Sequence, residues 1–63
     1  MDSDRSELSA LASSLEDICS RITSAADRYR PTPRADVAEG LYEVERSLRT
    51  AGRQLERVLR SMR

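Results

Sequence analysis

Arg30-Pro31-Thr32-Pro33 holds both prolines of this 63-residue chain, and its reading decides the fold. A residue that precedes proline is pushed out of the helical region, so Arg30 should end whatever helix reaches it. Thr32 followed by Pro33 has the form of a helix N-cap and first helical position. The chain is therefore expected to divide into helix one, about 4–29, a turn at 30–32, and helix two, about 33–61.

The residues on either side support two helices. Upstream, Leu8, Leu11, Leu15, Ile18, Ile22, Ala25 and Tyr29 are separated by alternating steps of three and four. Downstream, Val37, Leu41, Val44, Leu48, Ala51, Leu55, Val58 and Met62 continue the alternation. Such spacing places apolar side chains on one stripe of a helix, in heptad positions a and d. Strands would need apolar residues at every second position, and no such run occurs. The fold class predicted is all-α, an antiparallel, coiled-coil-like two-helix hairpin occupying 1–63 as a single unit.

Folding the chain back at the prolines gives a register in which facing residue numbers sum to 66. Tyr29 then meets Val37, Ala25 meets Leu41, and Leu15 meets Ala51. Both alanines face leucine, as close packing of side chains favours. Charge fits the same arrangement. Residues 1–17 hold five acids against Arg5, a net of −4, and residues 46–63 hold six arginines against Glu56, a net of +5. An antiparallel hairpin brings these ends together, and each complements its own helix dipole.

Two helices of this length are not expected to stand alone. A chain this small buries only about 60% of the surface it exposes when unfolded. The usual reinforcements are a disulfide, a metal or a partner. Cys19 is the only cysteine and there is no histidine, so neither an internal disulfide nor a zinc site is expected. Moreover, Ala12, Cys19 and Ala26 of helix one and Ala38, Gly52 and Leu59 of helix two occupy e positions beside the seam, with Glu45 the exception in helix two. That apolar face is wider than a two-stranded seam requires, and its residues are mostly small. They are read as an oligomer or partner interface, with a homodimeric four-helix bundle as the expected assembly. Gly40 and Gly52, inside helix two, are read as points where a neighbouring helix comes close.

Chemistry is sparse. With no histidine, base catalysis would fall to carboxylates, tyrosine or Cys19. Glu39 and Glu43 stand one turn apart, but they lie at outward f and c positions, and the inward Glu-x-x-His pairs of di-metal bundles are missing. Cys19 is read as a small buried hydrophobe. Both glycines are isolated, so no phosphate loop is formed. No catalytic residue, cofactor or metal is therefore expected, and the chain is read as a non-enzyme.

Basic and acidic residues balance at 11 each, and every basic residue is arginine. Codon usage of a GC-rich genome accounts for the missing lysine; the functional alternative is arginine's bidentate grip on carboxylate or phosphate. Arg46, Arg53 and Arg60 occupy successive f positions, flanked by Arg49 and Arg57. They form a stripe that is either a solvated face, with pairs such as Glu45–Arg49 and Glu56–Arg60, or a dock for an anionic partner. Arg28, Tyr29, Arg30, Arg34 and Tyr42 form a second candidate patch at the turn end, rich in residue types favoured at interfaces. No export signal and no membrane-length apolar run are visible, so a cytoplasmic location is expected.

The function expected is protein–protein interaction: a small oligomeric adaptor or regulator that binds itself and a larger protein. Nucleic-acid binding through the arginine stripe is the alternative, weakened by the absence of interleaved aromatics. A ligand-responsive coiled-coil regulator of transcription is a further alternative. It rests on Glu43, Ser47 and Gln54, whose spacing resembles part of the Glu-x3-Ser-x2-Arg-x3-Gln-x3-Asp motif with which some actinobacterial anti-sigma factors bind a cyclic dinucleotide. Thr50 and Val58 stand where that motif has arginine and aspartate, and in helix one only Glu16 and Ser20 match. Membership of that family is not assigned.

Overall fold

A computed structural model describes residues 2–62, as two α-helices joined by a short turn. Helix α1 spans Asp2–Tyr29 and α2 spans Ala35–Ser61. Proline stops α1 where its chemistry predicts: Arg30 lies outside the helix. Helix α2 starts two residues later than the Thr32-Pro33 reading suggests. Arg34 occupies the N-cap and its side chain makes no capping hydrogen bond. The Thr32 hydroxyl does different work. It donates to the carbonyl of Tyr29 at 2.6 Å and accepts from the Arg34 backbone N–H at 3.1 Å, so one side chain ties the end of α1 to the approach of α2. Among the described residues none takes a left-handed backbone, so the prolines and Thr32 turn the chain without glycine.

The helices pack against each other along their length, in a body of 50 × 15 × 9 Å. Their seam differs from the one the heptad spacing suggests. Among the described residues three are buried, and all are small: Ala26 is 0% exposed, Ala38 1% and Cys19 5%. All three are e positions. Leu8, Leu15 and Ile22 of α1 and Leu41, Leu48 and Leu55 of α2, all at a, are half-buried, and so are Ala12, Glu45, Gly52 and Leu59 at e. The d residues Leu11, Ile18, Val44, Ala51 and Val58 are exposed, as is Tyr29. The helices therefore meet through a and e, which amounts to a rotation of each helix by about 50° from an a–d seam at 100° per residue.

Small side chains at e explain the choice. A Cβ built on Gly52 would lie 3.5 Å from Leu15 Cδ2, so residues 15 and 52 face each other. Their numbers sum to 67, one away from the expected 66. With that sum every a residue faces an e residue: Ala12 opposite Leu55, Leu15 opposite Gly52, Cys19 opposite Leu48, Ala26 opposite Leu41. Each leucine fills the space that a small residue opposite leaves, which lets the two backbones approach closely. The pairing of Leu15 with Ala51 is thereby replaced by Leu15 with Gly52.

Candidate interaction surfaces

The a–e seam divides the hairpin into two unlike sides. In an antiparallel pair, equal heptad letters of the two helices flank the seam on the same side. Positions e and b of both helices therefore border one side, and d and g the other.

The e side is polar and internally tied. Tyr42 donates to Asp27 Oδ1 across the helices at 2.5 Å. This bond to a carboxylate, helped by burial, raises the Tyr42 pKa above its ordinary value. Arg5, in the second turn of α1, donates through Nη1 to the carbonyls of Leu59 and Met62, at 3.1 Å each, and so closes the open end. The Leu59 carbonyl also accepts from the Met62 backbone N–H at 3.2 Å, and a cation at a helix C-terminus complements the dipole. Glu45, the acidic exception in the seam, is bonded by Arg49, whose pKa rises in consequence. A groove of about 160 Å³ on this side, with Cys19, Gly52, Glu16, Arg49 and Arg53 in its lining, is smaller than the 300–1,000 Å³ of ligand pockets.

The six e residues read as a partner interface thus sit in the chain's own seam. Cys19, Ala26 and Ala38 are buried there, and Ala12, Gly52 and Leu59 are half-buried. The helix that approaches closely at Gly52 is α1 of the same chain. At Gly40 an added Cβ would meet nothing of the described residues within 4 Å beyond its own stretch of helix, so α1 does not come close there.

The d/g side is where apolar surface is left open. Leu11 is 52% exposed, Ile18 44%, Val44 46% and Val58 48%. In α2 the d positions are Val37, Val44, Ala51 and Val58, and the g positions are Gly40, Ser47, Gln54 and Ser61. None of these eight is charged, although 35% of the chain is. Sequence reading assigned the d residues to the hairpin seam and so missed this face. The uncharged g row of α2, beside its d row, was the signal that could have revealed it.

The arginine stripe faces outward, as its f positions require. Arg46, Arg53, Arg57 and Arg60 are exposed. Among the described residues, Arg46, Arg57 and Arg60 have no carboxylate within 4 Å; the expected Glu56–Arg60 pair is not formed, whereas Glu45–Arg49 is. None of the three ion pairs in the described residues joins α1 to α2.

The turn-end residues are brought together only in part: Arg30 lies beside Tyr42, where its charge works against the rise in the Tyr42 pKa, and the others are turned elsewhere. Arg34 is engaged by Asp36 through Nε–Oδ1 and Nη2–Oδ2, at 3.2 Å each, which lowers the Asp36 pKa. Tyr42 is committed to Asp27 on the e side, whereas Arg28, a g residue, borders the open face with Ile18 and Arg21. Tyr29 and Arg30 are exposed at the tip.

No helix among the described residues is long and apolar enough to cross a membrane, and no three His, Cys, Asp or Glu side chains gather there as a metal site would need. Comparison with family models, with curated proteins and with solved structures finds no match to this chain.

Proposed function

We propose that this chain is a non-enzymatic protein–protein interaction module: a helical hairpin that dimerises into a four-helix bundle and works as a small adaptor or regulator of a larger protein. The observation that carries the reading is the open d/g face, which is uncharged over its α2 half and carries charge only along the α1 rim, at Glu7, Arg21 and Arg28. Fully burying a leucine, isoleucine or valine side chain is worth about 1.5–3 kcal/mol, so Leu11, Ile18, Val44 and Val58, each about half-exposed, would each contribute on the order of 1 kcal/mol more if covered. A row of such residues with no charge among its neighbours in α2 is the composition of an interface core rather than of a solvated surface.

The larger partner would meet the outer side of α2. Among the described residues Arg46, Arg57 and Arg60 have no carboxylate within 4 Å, and they suit an acidic protein surface. Sedimentation velocity over a range of concentrations tests the module. Self-association that is abolished by Ile18→Asp with Val44→Asp, helicity being retained, is the expected result; a strictly monomeric and fully stable wild-type hairpin overturns it. Retardation of DNA or RNA that disappears with salt and in an Arg46, Arg53 and Arg60 to glutamate variant would replace the acidic protein with a nucleic acid.

A further inference from the structure

The open d/g face has a self-complementary pattern, and we propose that a second copy of this chain covers it, turned end for end. In this arrangement α1 lies against the partner's α1, α2 against the partner's α2, and the two-fold axis passes beside Ile18. The inference deepens the interaction-module reading and rests on it.

Area argues for a second copy. A folded monomer of 7.1 kDa is expected to expose about 4,100 Å². This hairpin exposes 4965 Å², an excess of about 900 Å². A standard protein interface covers about 800 Å² on each partner. One further copy would cover an area of about that excess on each chain.

The side chains argue for the end-for-end orientation. With Ile18 on the axis, it packs against the partner's Ile18, and Leu11 falls opposite the partner's Ala25, each seven residues away from it. Because facing residues within the hairpin sum to 67, the axis passes α2 near Arg49. Val58 then falls opposite the partner's Gly40, Ala51 opposite the partner's Ser47, and Val44 opposite the partner's Gln54. A large residue meets a small one at Val58, as in the seam inside the hairpin. Gly40, which touches nothing within 4 Å where a Cβ would sit, becomes the place that receives a valine. Along the rim Glu7 comes beside the partner's Arg28, an attractive pair repeated by symmetry. The other two-fold arrangement, α1 over the partner's α2, sets Glu7, Arg21 and Arg28 opposite the partner's Ser61, Ser47 and Gly40 and pairs none of them.

Cross-linking combined with sedimentation tests the geometry. In a Cys19→Ser background, Ile18→Cys places one thiol per chain beside the two-fold axis, within the 4.4–6.8 Å Cα separation that disulfides span. Under glutathione disulfide this variant is expected to become a covalent dimer, whereas Leu11→Cys in the same background is not. Dimers in sedimentation with no covalent product from Ile18→Cys, or with equal product from Leu11→Cys, overturn the end-for-end orientation and leave the interaction-module reading standing. A monomer at every concentration overturns both.

Discussion

Position 52 separates an a–e seam from an a–d seam by the sign of two substitutions. Glycine inside a helix costs about 1 kcal/mol relative to alanine. Gly52→Ala removes that cost, and its new Cβ would lie 3.5 Å from Leu15 Cδ2, an ordinary van der Waals contact that buries one methyl group. The contact adds up to about 0.8 kcal/mol for a fully buried carbon, less for a half-buried one. The sum is a gain of about 1–1.5 kcal/mol. An unfolding entropy of roughly 2.1 cal/mol/K per residue over 63 residues converts this to a rise of about 8–11 °C in Tm. Gly52→Leu should do the opposite. Its three further carbons extend from a Cβ position that already lies 3.5 Å from Leu15 Cδ2, and overpacking typically costs about 1–3 kcal/mol, which outweighs the relief of the glycine. Thermal melts followed by circular dichroism, at matched chain concentrations because association shifts Tm, measure both. If leucine raises Tm as much as alanine does, position 52 lies on the rim of the seam and the a–e packing is refuted.

Three further outcomes follow from the polar contacts. Arg5→Gln removes two hydrogen bonds to the carbonyls of Leu59 and Met62 and should cost about 1 kcal/mol, with faster hydrogen exchange confined to the last turns of α2; uniform acceleration along both helices would contradict a local cap. Thr23 Oγ1 is buried without a hydrogen-bond partner, so Thr23→Val should stabilise the chain by about 1 kcal/mol, and a fall in Tm would refute this. The raised Tyr42 pKa means that the folded chain keeps this phenolic proton to a higher pH than the unfolded chain does. Its contribution is whole below the unfolded value of about 10 and is lost as pH rises through the raised folded value. Tyr42→Phe should lower Tm near neutral pH, and the gap should narrow as pH rises above about 10; a gap that does not change with pH would remove the Asp27 bond from the account.

The sequence by itself determined the elements and their direction. Proline chemistry at residues 31 and 33 ended α1 at Tyr29, and apolar steps of three and four imposed two helices long enough to run the length of the molecule. It also set the register to within one residue, because both seams place the same leucines at the same heights. The rotation of each helix about its own axis was decided only by tertiary packing. Heptad letters a, d and e are predominantly apolar here, so periodicity permits contact through a–d or through a–e. What distinguishes them is how closely two backbones can approach, a property of facing pairs such as Leu15 with Gly52 and Leu41 with Ala26 that no single helix contains. That rotation moved Ala12, Cys19 and Ala26 inside the hairpin. It turned Leu11, Ile18, Val44 and Val58 outward, and with them the face on which the proposed function rests.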